Sequence, residues 1–333
     1  MQTQAHNYFL RTCLSTAIVV VMIVGAFVLS VNIGAKQIAP EIIWKALFEY
    51  DVTDSNQVIV RTLRLPRTVT ALAVGASFAA SGALMQAATR NPMASPSVLG
   101  INAGAALGLA LAMVVHPAAG FNETVLFSFA GAAVASVFIF GIGSMGSFGS
   151  SPVRLALTGT AIAALFNAFS QALAVAFKIS QDLTFWNAGG ISGVRPEQAA
   201  LLLPWTVAGL LLALALSKSV TLLSLGDEVA VGLGGKTAWI RLLACVAVLL
   251  LAGSAVAVAG PIGFVGLIVP HAVCAVIGSD YRRVIPLTIV SGGLLVLLAD
   301  IVARSINPPF ETPVGAVTSL IGVPFFIYLA TKK

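Results

Sequence analysis

The feature that most constrains this chain is a stretch without Asp, Glu, Lys or Arg that runs from Leu242 to Ser279. About twenty apolar residues are enough for a helix to cross a hydrocarbon core of roughly 30 Å, so this stretch is too long for a single crossing. Gly260-Pro261 and Pro270 interrupt it, because proline does not suit a helix interior. We predict two helices here, about Leu242–Ala259 and Gly263–Ile277.

Similar apolar runs recur along the chain, which is 58% hydrophobic and 9% charged. A soluble domain carries about 25% charged residues, so this sequence cannot cover a water-facing surface. We therefore predict an all-α polytopic membrane protein, with one transmembrane domain over residues 1–333. The ten predicted spans are approximately Leu14–Ile33, Arg67–Arg90, Ser97–Val115, Thr124–Met145, Leu155–Phe177, Gln198–Ser217, Leu242–Ala259, Gly263–Ile277, Val284–Ala303 and Val314–Ala330.

Ten spans place both termini on the same side of the membrane, and the basic residues indicate which side. With the termini inside, the inner segments hold ten Lys and Arg residues and the outer segments hold eight. Basic residues are enriched in cytoplasmic loops, so this modest bias favours cytoplasmic termini.

The longest polar interruption in the second half of the chain runs from Ser217 to Arg241, and the predicted topology places it inside. It contains a short amphipathic run, Gly226–Leu233, between glycines. We predict a cytoplasmic loop over about residues 218–241, called here the inner polar segment, which is pushed by a partner from outside the chain.

The middle of every predicted span lacks Asp, Glu, Lys and Arg. Ion-coupled transporters usually keep a titratable group at that depth, so this pattern disfavours a secondary transporter. A purely structural scaffold is disfavoured because broken helices cost stability unless they line a cavity. A large solute could pass such a neutral wall. Its predicted lining and gate residues are Gln86, Asn102, Asn167, Gln171, Pro270 and His271.

Three arginines lie on the predicted outer side, where basic residues are usually depleted. Arg64 and Arg67 flank Leu65-Pro66, and Arg304 follows Asp300 by four residues. Headgroup contact or local pairing with Asp300 would explain them. The alternative is that an acidic protein or ligand docks from outside.

The sequence contains no complete motif for phosphate, metal or nucleic-acid binding. Gly234–Thr237 reads GGKT, but a phosphate-binding loop needs a further glycine where this chain has Ala230. The three cysteines and three histidines lack metal-ligand spacing. The basic residues are scattered rather than clustered, which does not indicate nucleic-acid binding.

Several longer stretches resemble the permease subunits of ABC importers for iron–siderophore complexes, haem and cobalamin. They are RLPRTVTALAVGASFAASGALMQ (64–86), RNPMASPSVLGINAGA (90–105), LALTGTAI (155–162), LGDEVAVGLG (225–234), AVAGPIGFVGLIVPH (257–271), DYRRVIP (280–286), ADIVAR (299–304) and ETPVGAVTSLIGVPFFIYL (311–329). Segments 180–190 and 306–315 are most similar to the ferric-siderophore branch. One departure is Cys274, which stands where the family often has arginine.

The resemblance implies a type II ABC importer permease fold with ten helices, in the cytoplasmic membrane of a bacterium. It also implies partners: a second permease subunit, two cytoplasmic ABC ATPases that hold ATP and Mg²⁺, and an extracytoplasmic substrate-binding lipoprotein. This chain itself would bind no cofactor or metal and catalyse no reaction. The implied cargo is a ferric siderophore, with haem or cobalamin as the alternative.

Two sets of residues acquire roles from the resemblance. Arg64, Arg67 and Arg304 match positions that meet acidic residues on the binding protein. The stretch 225–234 matches the helix that enters a cleft of the ATPase. Its predicted coupling residues are Leu225, Gly226, Asp227, Glu228, Ala230, Leu233 and Gly234.

Overall fold

The computed structural model describes residues 2–34, 38–96, 100–144, 152–307 and 310–331, and these ranges fold into helices and loops without a β-strand. Two short segments, Val60–Arg64 and Leu249–Gly253, are π-helical. The helices are α1 Gln2–Asn32, α2 Pro40–Phe48, α3 Ser55–Ile59, α4 Leu65–Thr89, α5 Ile101–Val115, α6 Phe121–Ser144, α7 Pro152–Ala176, α8 Ser180–Ala188, α9 Pro196–Ser224, α10 Asp227–Gly232, α11 Thr237–Val248, α12 Ser254–Ala259, α13 Val265–Ile277, α14 Tyr281–Ile306 and α15 Val314–Thr331.

The described helices include 7 that are long and apolar enough to cross a membrane. Three shorter apolar helices, Ile101–Val115, Val265–Ile277 and Val314–Leu329, correspond to the remaining predicted spans. The predicted all-α polytopic fold is thus confirmed. Ser97, at the predicted start of the third span, and Met145, at the predicted end of the fourth, lie outside the described residues.

The inner polar segment is shorter than predicted. Helix α9 continues to Ser224 instead of ending near Ser217, and α11 begins at Thr237 instead of near Leu242. Polar residues such as Lys218 do not end a helix, because its last turns can extend into water beyond the bilayer. The helix ends at Ser224, just before Gly226, whose φ of 115° is open to glycine and unfavourable for other residues.

The charge-free stretch is broken at one of its two predicted points. Helix α12 ends at Ala259, and Gly260 follows with φ of 67°, as predicted. Pro270 was predicted to interrupt the stretch as well, but α13 runs through it from Val265 to Ile277. A proline inside a helix leaves one carbonyl without its usual donor, and that carbonyl needs another partner in the bilayer.

Helix α4 is the centre of the fold, and nearly all of its side chains are buried. Small residues allow its neighbours to approach at backbone distance. Gly75 and Ala79 face Gly292 of α14, while Gly82 lies against Gly266 of α13. A side chain at Gly82 would meet the backbone of α13, so the α4–α13 contact depends on glycine.

Small residues four apart in the sequence predict close contacts between helices, and the pairs Gly104–Gly108 and Gly189–Gly193 have different outcomes. Gly104 and Gly108 of α5 pack against the α6 backbone at Gly131 and Phe127, as their spacing predicted. Gly189 and Gly193 were wrong as a helix-contact pair. They lie in the turn after α8 with φ of 67° and 72°, where glycine serves the backbone conformation instead.

Candidate functional site

The inner polar segment presents a short helix, α10, held between two glycines with positive φ, Gly226 and Gly234. Ala230 is fully buried and fixes one side of this helix to the chain. The side chains of Leu225, Val229, Val231 and Leu233 are 47–63% exposed. A cluster of exposed apolar side chains beside the charged Glu228 is a surface suited to a protein partner.

Asp227 belongs to the predicted coupling residues, but its carboxylate faces the chain itself. It accepts two hydrogen bonds from Arg241 of α11, at 2.8 and 2.9 Å, and pairs with Arg90 beyond the end of α4 at 3.6 Å. The predicted coupling set therefore divides into two groups. Leu225, Glu228 and Leu233 are exposed, whereas Asp227 and Ala230 fasten α10 to the helices behind it.

The predicted outer side carries a buried network of charges. Asp300 is completely buried in α14 and accepts hydrogen bonds from Arg67 Nε and Nη2 at 2.9 and 2.8 Å. Its second oxygen pairs with Arg304 Nη2 at 3.0 Å. Arg67 also pairs with Glu311, 2.5 Å away, in the loop before α15. The local pairing with Asp300 that sequence allowed is confirmed for both Arg67 and Arg304.

Arg64 and Arg304 also cap the C-terminal end of α1. The last carbonyls of a helix lack intrahelical donors and must be satisfied by other groups. Arg64 Nη1 donates to the carbonyls of Val31 and Asn32 at 2.7 and 2.8 Å. Arg304 Nη1 donates to those of Ser30 and Ile33 at 3.2 and 3.0 Å. This capping role could not be predicted from the sequence, because it depends on contacts between segments that are far apart in the chain.

Glu311 is the most accessible member of the outer network, with a side chain 38% exposed. Burial alone opposes ionisation of its carboxyl group, but hydrogen bonds from Arg67 and Ser192 outweigh burial and lower the pKa of Glu311. A cavity of about 310 Å³ opens beside it and is also lined by Arg67, Trp186 and Gly260. The Arg67–Glu311 pair is therefore reachable from the predicted outside.

Two of the predicted path residues, Gln86 and Pro270, lie at one contact between α4 and α13. Pro270 has no N–H to donate to the carbonyl of Gly266, four residues earlier. Gln86 Nε2 donates to that carbonyl at 3.2 Å and to Leu267 O at 3.3 Å. The buried amide thus satisfies the carbonyl that proline leaves open, and Gln86 has a structural role in this conformation.

The other predicted path residues are separated from this contact. Asn167 and Gln171, one turn apart on α7, have exposed side chains, while Asn102 of α5 is half-buried. His271 is half-buried and meets the ring of Phe325 edge-on at 5.8 Å between centroids. Exposed amides on a spanning helix are costly against lipid, so the Asn167–Gln171 face suits a water-filled passage or a neighbouring subunit.

We expect Gln86→Leu to destabilise the protein by about 1–3 kcal/mol, because the Gly266 carbonyl would remain buried without a donor. Thermal unfolding of the purified protein in detergent measures this. Gln171→Leu is the matched control, since the same substitution on the exposed face of α7 removes no hydrogen bond that fastens two helices. Equal stability of the two variants would contradict the structural role of Gln86.

Together, the buried polytopic core, the exposed amide face on α7 and the apolar helix α10 define a multi-pass helical membrane permease. The particular family follows from comparison with known proteins. The chain belongs to the FecCD transport family, whose sequence profile matches residues 20–332.

Relatives of known name are similar over nearly the whole chain. The iron(3+)-hydroxamate import system permease protein FhuB of Bacillus subtilis is 47% identical over 93% of this chain and 80% of its own length. The Fe(3+)-citrate import system permease protein YfmD of the same organism is 44% identical over 94% of both chains. The iron-uptake system permease protein FeuB, also from B. subtilis, is 42% identical over 92% of both.

Solved structures agree on the fold. A chain from an ABC transporter assigned to the metal-chelate type, in an inward-facing conformation, has a TM-score of 0.82 and 29% identity. The match covers 97% of this chain and 100% of that chain. PsaBC from Streptococcus pneumoniae, solved in complex with a Fab, has a TM-score of 0.57 at 20% identity and supports the fold alone.

Proposed function

We propose that this chain is the transmembrane subunit of an ATP-driven ABC importer that carries ferric siderophores across the bacterial cytoplasmic membrane. The observation that carries the proposal is the apolar tip of α10, the exposed side chains Leu225, Val229, Val231 and Leu233. A partner that engages this tip can push on the helices to which Asp227 and Ala230 fasten it. The named relatives, which are iron(3+)-hydroxamate and Fe(3+)-citrate import permeases, support iron chelates as the cargo.

The energy for transport would come from the partner, because the described spans offer no obvious group for ion coupling. The buried charged residues in the described ranges are Arg64, Arg67, Arg241 and Asp300. All four lie towards helix ends, and Arg67, Arg241 and Asp300 are engaged in ion pairs with acidic or basic neighbours. ATP and Mg²⁺ would be held by two cytoplasmic ABC ATPases, and this chain would bind no cofactor and catalyse no reaction.

The passage would form where two permease subunits meet. Asn167 and Gln171 expose amides that could contact a chelate by hydrogen bonds without holding it by charge. The second subunit would be a copy of this chain or a relative, and Asn102 and His271 remain proposed lining or gate residues. With both termini in the cytoplasm, α10 faces the ATPases and the Arg67–Glu311 pair faces outward.

An acidic substrate-binding lipoprotein would dock on the outward face. Arg64, Arg67 and Arg304 remain the proposed docking residues, although all three guanidinium groups are engaged within the chain. Arg67 is the most available of them, because its partner Glu311 is 38% exposed and could be exchanged for a carboxylate of the binding protein. Arg64 and Arg304 would act mainly by holding Arg67 and the end of α1 in place.

Reconstitution tests the proposed function. Proteoliposomes with the permease dimer, its ATPase and its binding protein should accumulate ⁵⁵Fe-labelled hydroxamate or citrate chelates only with internal ATP. A protonophore should leave uptake unchanged. Accumulation that needs a proton gradient instead of ATP would refute the proposal and favour an ion-coupled transporter. ATP-driven uptake of haem or cobalamin, with no uptake of ferric chelates, would assign the cargo to the other branch of the family.

A further inference from the structure

Arg90 occupies a backbone position that favours glycine. It follows the last residue of α4 with φ of 51° and ψ of 34°, in the left-handed region. Its N–H donates to Ala87 O at 3.2 Å, and Asn91 N–H donates to Gln86 O at 3.1 Å. These two bonds form the Schellman ending of a helix, in which the left-handed residue is most often glycine because a Cβ is strained there.

The side chain offers a reason for arginine at this strained position. Arg90 Nη2 lies 3.6 Å from Asp227 Oδ2, and this carboxylate is also bound by Arg241. The backbone of Gly226 is close as well, since a Cβ built there would lie 3.4 Å from Arg90 Nη1. The ends of α4, α10 and α11 therefore meet at Asp227, and Arg90 supplies the contribution of α4.

Helix α4 connects this point to the rest of the molecule. One turn before Arg90, Gln86 is fastened to α13, and further along Gly82 and Gly75 contact α13 and α14 at backbone distance. At the opposite end Arg67 enters the outer network with Asp300. A displacement of α10 that is transmitted through Arg90 would reach a helix that is packed against most of the core.

We propose that Arg90 is a positioning residue for transport, which couples movement of α10 to α4 through its ion pair with Asp227. This proposal rests on the proposed function, because it assumes that a partner ATPase moves α10. The contact is partly exposed, with 43% of the Arg90 side chain and 40% of the Asp227 side chain accessible. Loss of the Arg90 side chain should therefore lower the efficiency of transport without preventing the protein from folding.

Arg90→Gly tests this role because it removes the side chain while relieving the backbone. We expect the variant to fold and to bind the ATPase, but to take up about fivefold less ferric chelate per ATP hydrolysed, the loss that corresponds to a partly exposed ion pair. Lys178→Gly is the matched control. Lys178 is also left-handed, with φ of 60°, and exposed, but it lies on the predicted outer side, far along the chain from α10.

Arg90→Lys retains the positive charge and should restore most of the uptake per ATP hydrolysed. A merely structural role for Arg90 predicts the opposite order, with glycine as good as the unmodified protein. Unchanged uptake in Arg90→Gly, or an equal loss in Lys178→Gly, would overturn the role of Arg90. Absence of ATP-driven uptake in the unmodified protein would instead overturn the proposed function.

Discussion

Replacing Asp300 with asparagine should destabilise the protein by about 3–5 kcal/mol, since breaking a buried ion pair leaves uncompensated charge in a medium that solvates it poorly. Asp300 is completely buried and is shared by Arg67 and Arg304, whose side chains are only 11% and 7% exposed. Asparagine keeps the shape of the carboxylate and removes its charge. Thermal unfolding in detergent, followed by size-exclusion chromatography of the heated sample, measures the loss.

The damage should extend to the end of α1. Arg304 joins Asp300 to the carbonyls of Ser30 and Ile33, so an Arg304 side chain without its counter-ion would reorient away from the end of α1. Proteolysis of the segment after α1 reports this separately from global unfolding. Asp182→Asn is the control, because Asp182 is exposed on α8. An Asp300→Asn variant as stable as the Asp182→Asn variant would contradict the structural importance of the network.

Helix positions followed from the sequence because the bilayer imposes a simple rule. A charge-poor run of sufficient length must become a helix, and its backbone groups must be satisfied within it. Pairing of Asp300 with Arg304 was equally accessible, since residues four apart lie on one helix face. Gly260 was a reliable sign of a helix end, and it has positive φ in the structure.

What the sequence left open depends on contacts between distant segments. Pro270 looked like a break, because nothing near it in sequence reveals that Gln86 supplies a donor to the Gly266 carbonyl. Asp227 was predicted as a coupling residue, but its contacts with Arg90 and Arg241 form only in the fold and could not be predicted. Both cases concern polar groups whose partners come from another helix, and the spacing of residues along the sequence does not reveal such partners.

The extent of α9 was missed for a different reason. Hydropathy locates the part of a helix that lies in lipid, whereas the helix itself ends where the backbone finds a cap or a glycine. Ser217 and Lys218 mark the end of the part that lies in lipid, and Gly226 marks the end of the helix itself. The consequence is a compact inner polar segment, in which only residues 225–236 separate α9 from α11.

The second large effect that we expect is a loss of ATPase binding in the double variant Leu225→Ser and Leu233→Ser. The two leucines are 60% and 63% exposed, so serine should leave the fold intact. Fully burying a leucine side chain in a partner's cleft contributes about 1.5–3 kcal/mol. Losing both should weaken binding to the ATPase roughly a thousandfold, at 1.4 kcal/mol per factor of ten.

Co-purification with the ATPase and ATP-driven uptake should therefore both fall to background, while thermal stability of the permease alone stays unchanged. Val52→Ser is the control, because Val52 is 72% exposed on the predicted outer side, where a cytoplasmic protein cannot reach it. The experiment also separates a protein partner from lipid as the group that covers α10. Lipid headgroups would tolerate serine, so an ATPase bound as tightly as before would assign the apolar tip to the membrane surface and place the motor's contact elsewhere.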